Sequence, residues 1–309
     1  LEYLRKRNKS SYPSPIYTSN KDSFVIFKVK SKKYIVRLLS YLDGVFLGEL
    51  DLKRQDLKKV GRFIGNLSKE LKNYSNDSIA SRKWPWDIQN LSLNKKYLKY
   101  IPDPSNRKIV LFFFQQFEEF VFPQLDKLRT SIIHNDTNEW NILLKKNKEL
   151  AIIDFGDLAK TQLVNEVAIA MVYASYSNEN PLENASIILK SYNKVIKLTN
   201  TEISLIYYLM ASKLCISVCN SAFSRAKNPK NKYALISEKK AWNMLYFLVR
   251  TSPDHVENIF RKTLNKKKKK SKKVSKYLKD RNSILSQIFS VSYKNPIIFK
   301  RSAFQYMFD

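Results

Sequence analysis

Apolar residues recur along this chain at two periods. In residues 52–74 they fall at Leu57, Val60, Phe63, Ile64, Leu67 and Leu71, spacings of three and four that draw one stripe down a helix. Gly61 and Gly65, one turn apart in that stretch, lower its helix propensity, and their expected use is close approach of a neighbouring helix. Residues 109–128 predict another helix, with Phe112, Phe113, Phe114, Phe117 and Phe120 mostly in a core. Residues 164–176, 182–196, 202–226, 233–249 and 255–264 read as five more, starting at Asn200 or Thr201 for the third and at Pro253 with Asp254 for the last. Short apolar runs mark strands at 23–29 and 33–39, joined by Ser31-Lys32, and at 141–144 and 150–153, joined by a tight Lys-Asn-Lys turn. Trp84-Pro85-Trp86-Asp87 breaks the helical pattern, with Trp86 read as core and Asp87 as a helix cap. Residues 1–8 read as the last turns of a helix, 277–288 as a short helix and 289–309 as a β-like aromatic run.

Polar residues at the ends of the second strand pair carry the chemistry. Ile132-Ile133-His134-Asn135-Asp136-Thr137-Asn138-Glu139-Trp140-Asn141 is His-x-Asp-x4-Asn on a loop leading into a strand, and the partner strand ends in Asp154-Phe155-Gly156. Phosphoryl transfer needs that set: Asp136 to accept a proton from an attacking hydroxyl, Asn141 and Asp154 as hard oxygen ligands for Mg²⁺ on a nucleotide. The alternative is a hairpin whose acids only cap turns. Three polar positions coinciding with two apolar runs argue against it.

These residues resemble a kinase catalytic core, and their surroundings narrow the type. Asn135 stands where protein kinases usually place Arg. Asp157-Leu158-Ala159 and then a helix follow Asp154 closely, with no Ala-Pro-Glu element between. The chain resembles the aminoglycoside-phosphotransferase and choline-kinase group of small-molecule kinases, and within it the hydroxylysine kinase branch. That likeness runs from about Pro13 to Leu264 through Arg37-Leu38-Leu39-Ser40-Tyr41-Leu42-Asp43-Gly44, Trp86-Asp87-Ile88, the His134 loop, the Asp154 strand and Glu166-Val167-Ala168-Ile169-Ala170-Met171. It implies an α+β, protein-kinase-like two-lobe fold, with an incomplete N-terminal β lobe and a mainly helical C-terminal lobe. It implies a Mg²⁺-dependent transfer from ATP or GTP to the hydroxyl of a small amino alcohol or hydroxy amino acid. It also implies a nucleotide hinge at Ser40, Tyr41 and Leu42, a loop-orienting His134 and a bracing Glu166; Asp157 either supports metal or substrate binding or only caps the next helix.

Composition changes this picture little. Against 27 acidic residues stand 56 basic ones, a net charge of +29 that attracts polyanions at low salt and makes nucleic-acid binding a minor alternative. The excess is scattered lysine, and the block Lys266–Lys270 reads as a solvated linker. Cys215 and Cys219 lie four apart in an apolar helical stretch and share one face, as buried free thiols in a reducing cytoplasm would. No run of eighteen apolar residues appears, so no membrane partner is expected.

The organisation expected is a remnant of an N-terminal lobe and hinge at 1–42, a helical catalytic lobe at 43–264, a Lys-rich linker at 265–288 and a further segment at 289–309. That last segment is similar to the opening of class III aminotransferases, which implies a fused aminotransferase-like domain. The five glycines include no Gly-x-Gly-x-x-Gly, and no strand lysine with a helix glutamate partner is found. Those gaps lead to the expectation of a fragment, inactive alone. The competing reading is a catalytically impaired pseudokinase or binding module.

Overall fold

The computed structural model describes residues 1–7, 10–176, 180–229 and 233–267. Most of the expected linker and all of the segment 289–309 lie outside them. A single helical turn, α1 (Glu2–Arg5), precedes β1 (Pro15–Ile16), the hairpin of β2 (Val25–Val29) and β3 (Lys32–Val36), and β4 (Leu38–Leu39). The strand expected at 33–39 is therefore split. Residues 32–36 pair antiparallel with β2, whereas 38–39 turn back to pair with β1. Lys30 makes the hairpin turn at a φ of 53°, one residue ahead of the expected Ser31-Lys32 turn.

The large lobe follows with β5 (Val45–Phe46), α2 (Arg54–Leu71), α3 (Asp77–Ala80), a 3₁₀ segment (Ile88–Tyr100) and α4 (Pro104–Gln116). Leu57, Val60, Ile64, Leu67 and Leu71 of α2 are buried, as their spacing requires. Asp87 does cap the segment it precedes, accepting the Gln89 N–H at 3.2 Å. The helix expected over 109–128 begins earlier, because Asp103 caps it through the Ser105 N–H at 2.7 Å with Pro104 in its first turn. It also ends earlier as an α-helix. Pro123 offers no N–H, and the chain loosens into a π turn (Phe117–Val121) and tightens into a 3₁₀ turn (Phe122–Lys127).

Next come β6 (Thr130–Ile133), β7 (Ile142–Leu144), β8 (Leu150–Ile152) and β9 (Ala159–Gln162). β7 and β8 form the expected hairpin, with Lys148 at a φ of 63° in its turn, and β5 adds to the other edge of β7. A second ladder, β6 with β9, was not expected; it clamps together the two ends of the segment that holds residues 134–158.

Among the described residues five helices complete the lobe: α5 (Val164–Ala174), α6 (Pro181–Val195), α7 (Asn200–Lys227), α8 (Tyr233–Arg250) and α9 (Pro253–Thr263). α7 starts at Asn200, one of the two expected starts, and is capped by Thr199. Its hydroxyl accepts the Glu202 N–H at 3.2 Å while Glu202 returns a bond to the Thr199 N–H at 2.7 Å. α9 starts at Pro253, as expected.

Helix α7 is the spine of the lobe, packed by α5, α8, α9 and α4. It is long and apolar enough to span a membrane by length and composition, yet 83% of that window is buried inside the lobe. Gly61 and Gly65 let α6 approach α2 as expected. A Cβ on Gly61 would stand 2.5 Å from the Ile188 carbonyl oxygen, and one on Gly65 2.9 Å from the Val195 Cβ.

Candidate active site

The loop between β6 and β7 is shaped by an unusual backbone. Asn135 adopts a φ of 67°, in the left-handed region that Asn tolerates better than most residues, and it is fully buried. That bend places His134 inside the lobe and Asp136 at its surface. The side chain of Glu166, on the first turn of α5, accepts the His134 backbone N–H at 2.6 Å. The Thr137 hydroxyl donates to the Glu166 carbonyl at 3.4 Å. Burial pushes the Glu166 carboxyl up to about 7.

His134 joins the two strands that bear the acids. Its Nδ1 faces the Asp136 N–H at 3.3 Å and its Nε2 faces the Ile153 carbonyl at 3.0 Å. Nδ1 must accept and Nε2 must donate, which fixes the neutral tautomer. Complete burial lowers its pKa, in the same sense.

Asp136 accepts side-chain amides on one of its two carboxylate oxygens only. Its Oδ2 accepts from Asn138 Nδ2 and from Asn141 Nδ2, both at 2.8 Å. Its Oδ1 lies 3.7 Å from the Lys213 ammonium, and its side chain is 22% exposed. Asn141 spends its nitrogen on Asp136, which leaves the amide oxygen for a cation. Asp154, at the end of β8, takes a left-handed conformation at a φ of 58° and caps the next turn through the Gly156 N–H at 3.1 Å.

Asp136, Asn141, Asp154 and Asp157 all border one cavity of about 440 Å³. Asp157 is steadied by the Trp84 indole N–H at 2.9 Å, and burial followed by the charge of Asp136 raises its pKa. Asn141 and Asp154 suit a hard divalent cation. Among the described residues no cluster of three His, Cys, Asp or Glu forms a protein-only cage. Mg²⁺ is commonly held that way, by one or two protein oxygens plus nucleotide phosphates.

The expected hinge is not brought to this cavity: Ser40, Tyr41 and Leu42 are absent from its lining. The Ser40 N–H donates to the Ser14 carbonyl at 2.8 Å and its hydroxyl accepts the Ser14 N–H at 2.8 Å, extending the β1–β4 ladder. Tyr41 is 86% exposed.

The cavity's far wall was missed. Ser217, Asn220, Ser221 and Ser224 line it from α7, with Tyr173 and Tyr176 from the end of α5, Glu139 from the loop and Glu238 from α8. Lys213 stands one turn before Ser217. The signal was present: Lys213 is the only charged residue between Glu202 and Arg225, and it opens a polar stripe at spacings of four and three. Trp86, read as core, also borders the cavity.

A two-lobed fold with this loop and these acids defines the protein-kinase-like phosphotransferases. Residues 24–191 match the phosphotransferase enzyme family, and the chain belongs to it. It is 31% identical over 245 residues to hydroxylysine kinase of Mus musculus and 29% identical over 245 residues to that of Bos taurus. Each match covers 75% of this chain and 65% of the relative, so the chain spans about two-thirds of their length. Among solved structures, an aminopropanol kinase associated with a microcompartment superposes with a TM-score of 0.62 at 12% identity, covering 84% of this chain and 80% of that one. An amicoumacin kinase in complex with AMP-PNP and Ca²⁺ superposes with a TM-score of 0.59 at 15% identity, covering 83% and 75%. These structures share the fold. All four relatives are kinases, and they give no support to the aminotransferase-like reading of 289–309.

Proposed function

We propose that the protein moves the γ-phosphate of a nucleoside triphosphate, ATP or GTP, to the hydroxyl of a small amine-bearing alcohol of the hydroxylysine or ethanolamine kind. The observation that carries this reading is the meeting of Asp136, Asn141 and Asp154 at one cavity. Asp136 orients the acceptor hydroxyl and takes its proton through Oδ1, the carboxylate oxygen that no amide occupies. Asn141 and Asp154 would hold Mg²⁺, which when bound offsets charge on the β and γ phosphates. Asn138 and Asn141 fix the rotamer of Asp136, and His134 and Glu166 fix the backbone beneath it. Positioning of this kind is most of what phosphoryl transfer asks of a protein.

The acceptor class is supported by the relatives' names and by the wall opposite the acids. Aromatic Trp86, Tyr173 and Tyr176 with Glu139, which already faces the Lys240 ammonium at 3.7 Å, form a wall suited to an ammonium group. A reducing cytoplasm fits the free thiols of Cys215 and Cys219, both buried in α7. The test is ADP release by the complete protein against hydroxylysine, ethanolamine, aminopropanol and an aminoglycoside panel. Turnover with an amino alcohol well above the acceptor-free rate supports the reading. Nucleotide binding with no transfer to any acceptor returns the protein to the binding-module alternative.

A further inference from the structure

Lys213 lies midway along α7 with its side chain wholly out of solvent. A lysine is almost never fully buried without compensation, because an unpaired ammonium in the interior costs several kcal/mol or more. Its partners are all functional. The ammonium donates to the carbonyl of Asn135 at 3.2 Å, faces Asp136 Oδ1 at 3.7 Å and sits 5.5 Å from the centroid of the Trp86 ring. Its field reaches Asp87 at the head of the 3₁₀ segment, His134 on the loop, Asp157 after β8 and Glu166 on α5.

Two features make this more than a buried ion pair. Asn135 is the left-handed residue that bends the loop, and its carbonyl is the acceptor Lys213 takes. The Asp136 carboxylate is meanwhile held from two sides: two asparagine amides at Oδ2 and one ammonium at Oδ1. Among the described residues Lys213 is the cation paired with Oδ1, and it sets the direction of that oxygen. The surroundings would otherwise be dominated by carboxylates, since Asp154, Asp157 and Glu139 border the same space.

We propose that Lys213 is a positioning residue of the phosphoryl-acceptor site, fixing the Asp136 carboxylate and the Asn135 peptide from the opposite wall. Lys213 acts through Asp136 and touches neither nucleotide nor acceptor. The functional part of this inference rests on the kinase reading above.

The test is a double-mutant cycle in the complete protein with Lys213→Met, Asp136→Asn and both, read as turnover, nucleotide affinity and thermal midpoint. Lys213→Met should lower kcat by roughly 30-fold or more with nucleotide affinity changed less than about threefold. In the Asp136→Asn background the same change should cost nothing further in kcat. The thermal midpoints should couple too: Lys213→Met lowers the midpoint when Asp136 is present, and Asp136→Asn recovers part of that loss. Lys213→Arg, which keeps the charge, should recover part of the turnover. Wild-type turnover in Lys213→Met, or costs that simply add across the cycle in both kcat and midpoint, would overturn the assignment. If Lys213→Met does not fold, the same cycle run with Lys213→Gln decides by the same criteria. If even the unaltered protein phosphorylates no acceptor, the kinase reading fails by itself, and the midpoint cycle still tells whether Lys213 and Asp136 are coupled.

Discussion

The Glu166 carboxylate receives the His134 backbone N–H at 2.6 Å in a wholly buried setting, and this bond ties helix α5 to the loop between β6 and β7. Burial raises the Glu166 carboxyl to about 7 from its ordinary 4.5. The folded state therefore holds this proton more tightly than the unfolded chain. Its contribution favours folding below about 4.5 and is lost as pH rises through about 7. Each tenfold change in proton affinity is worth about 1.4 kcal/mol, so the loss totals about 3 kcal/mol. Glu166→Gln keeps an acceptor for His134 and removes the titration. The stability difference between wild type and Glu166→Gln, from urea unfolding at pH 5 and pH 8, should shift against the wild type at the higher pH.

Asp154 should matter to binding before chemistry. Its carboxylate borders the cavity beside Asn141, and these two side chains would hold the cation. Asp154→Ala should weaken Mg²⁺-dependent nucleotide binding by about tenfold or more, equivalent to about 1.4 kcal/mol, with metal-free nucleotide binding little changed. Titration of a fluorescent nucleotide with and without Mg²⁺ separates the two.

Gly61→Ala sets helix propensity against packing. Alanine gains up to about 1 kcal/mol over glycine inside a helix. Here its Cβ would stand 2.5 Å from the Ile188 carbonyl oxygen, a backbone atom of α6 that cannot swing aside. Overpacking costs about 1–3 kcal/mol and should exceed the propensity gain. A lowered thermal midpoint is the expected result; a raised one would mean that α2 and α6 separate freely.

What the sequence made legible follows from how local each signal is. The α2 stripe and the β7–β8 hairpin rest on spacing within a dozen residues or on one tight turn, and both stand as read. The β6–β9 ladder was not legible, because Ala159-Lys160-Thr161-Gln162 lacks apolar alternation and Thr161 and Gln162 are buried polar residues. The split of 33–39 depends on β1, a partner more than twenty residues away. In the site, Asp136, Asn141, Asp154, Asp157, His134 and Glu166 come together because their loop and strand ends are close in sequence or joined by β9. The wall of α7 carries no motif: its serine-asparagine stripe becomes a cavity lining only once α7 packs behind the loop, where Lys213, one turn earlier, reaches Asn135 and Asp136. Ser40, Tyr41 and Leu42 do not line the cavity, and the Ser40 amide is bonded to the Ser14 carbonyl.

The central claim is that Asp136 acts on the acceptor while its neighbours hold the cation. Steady-state turnover of Asp136→Asn in the complete protein, with nucleotide affinity measured alongside, tests it most directly. Turnover should fall by roughly two orders of magnitude or more with nucleotide affinity nearly unchanged. Wild-type turnover in Asp136→Asn would contradict the account.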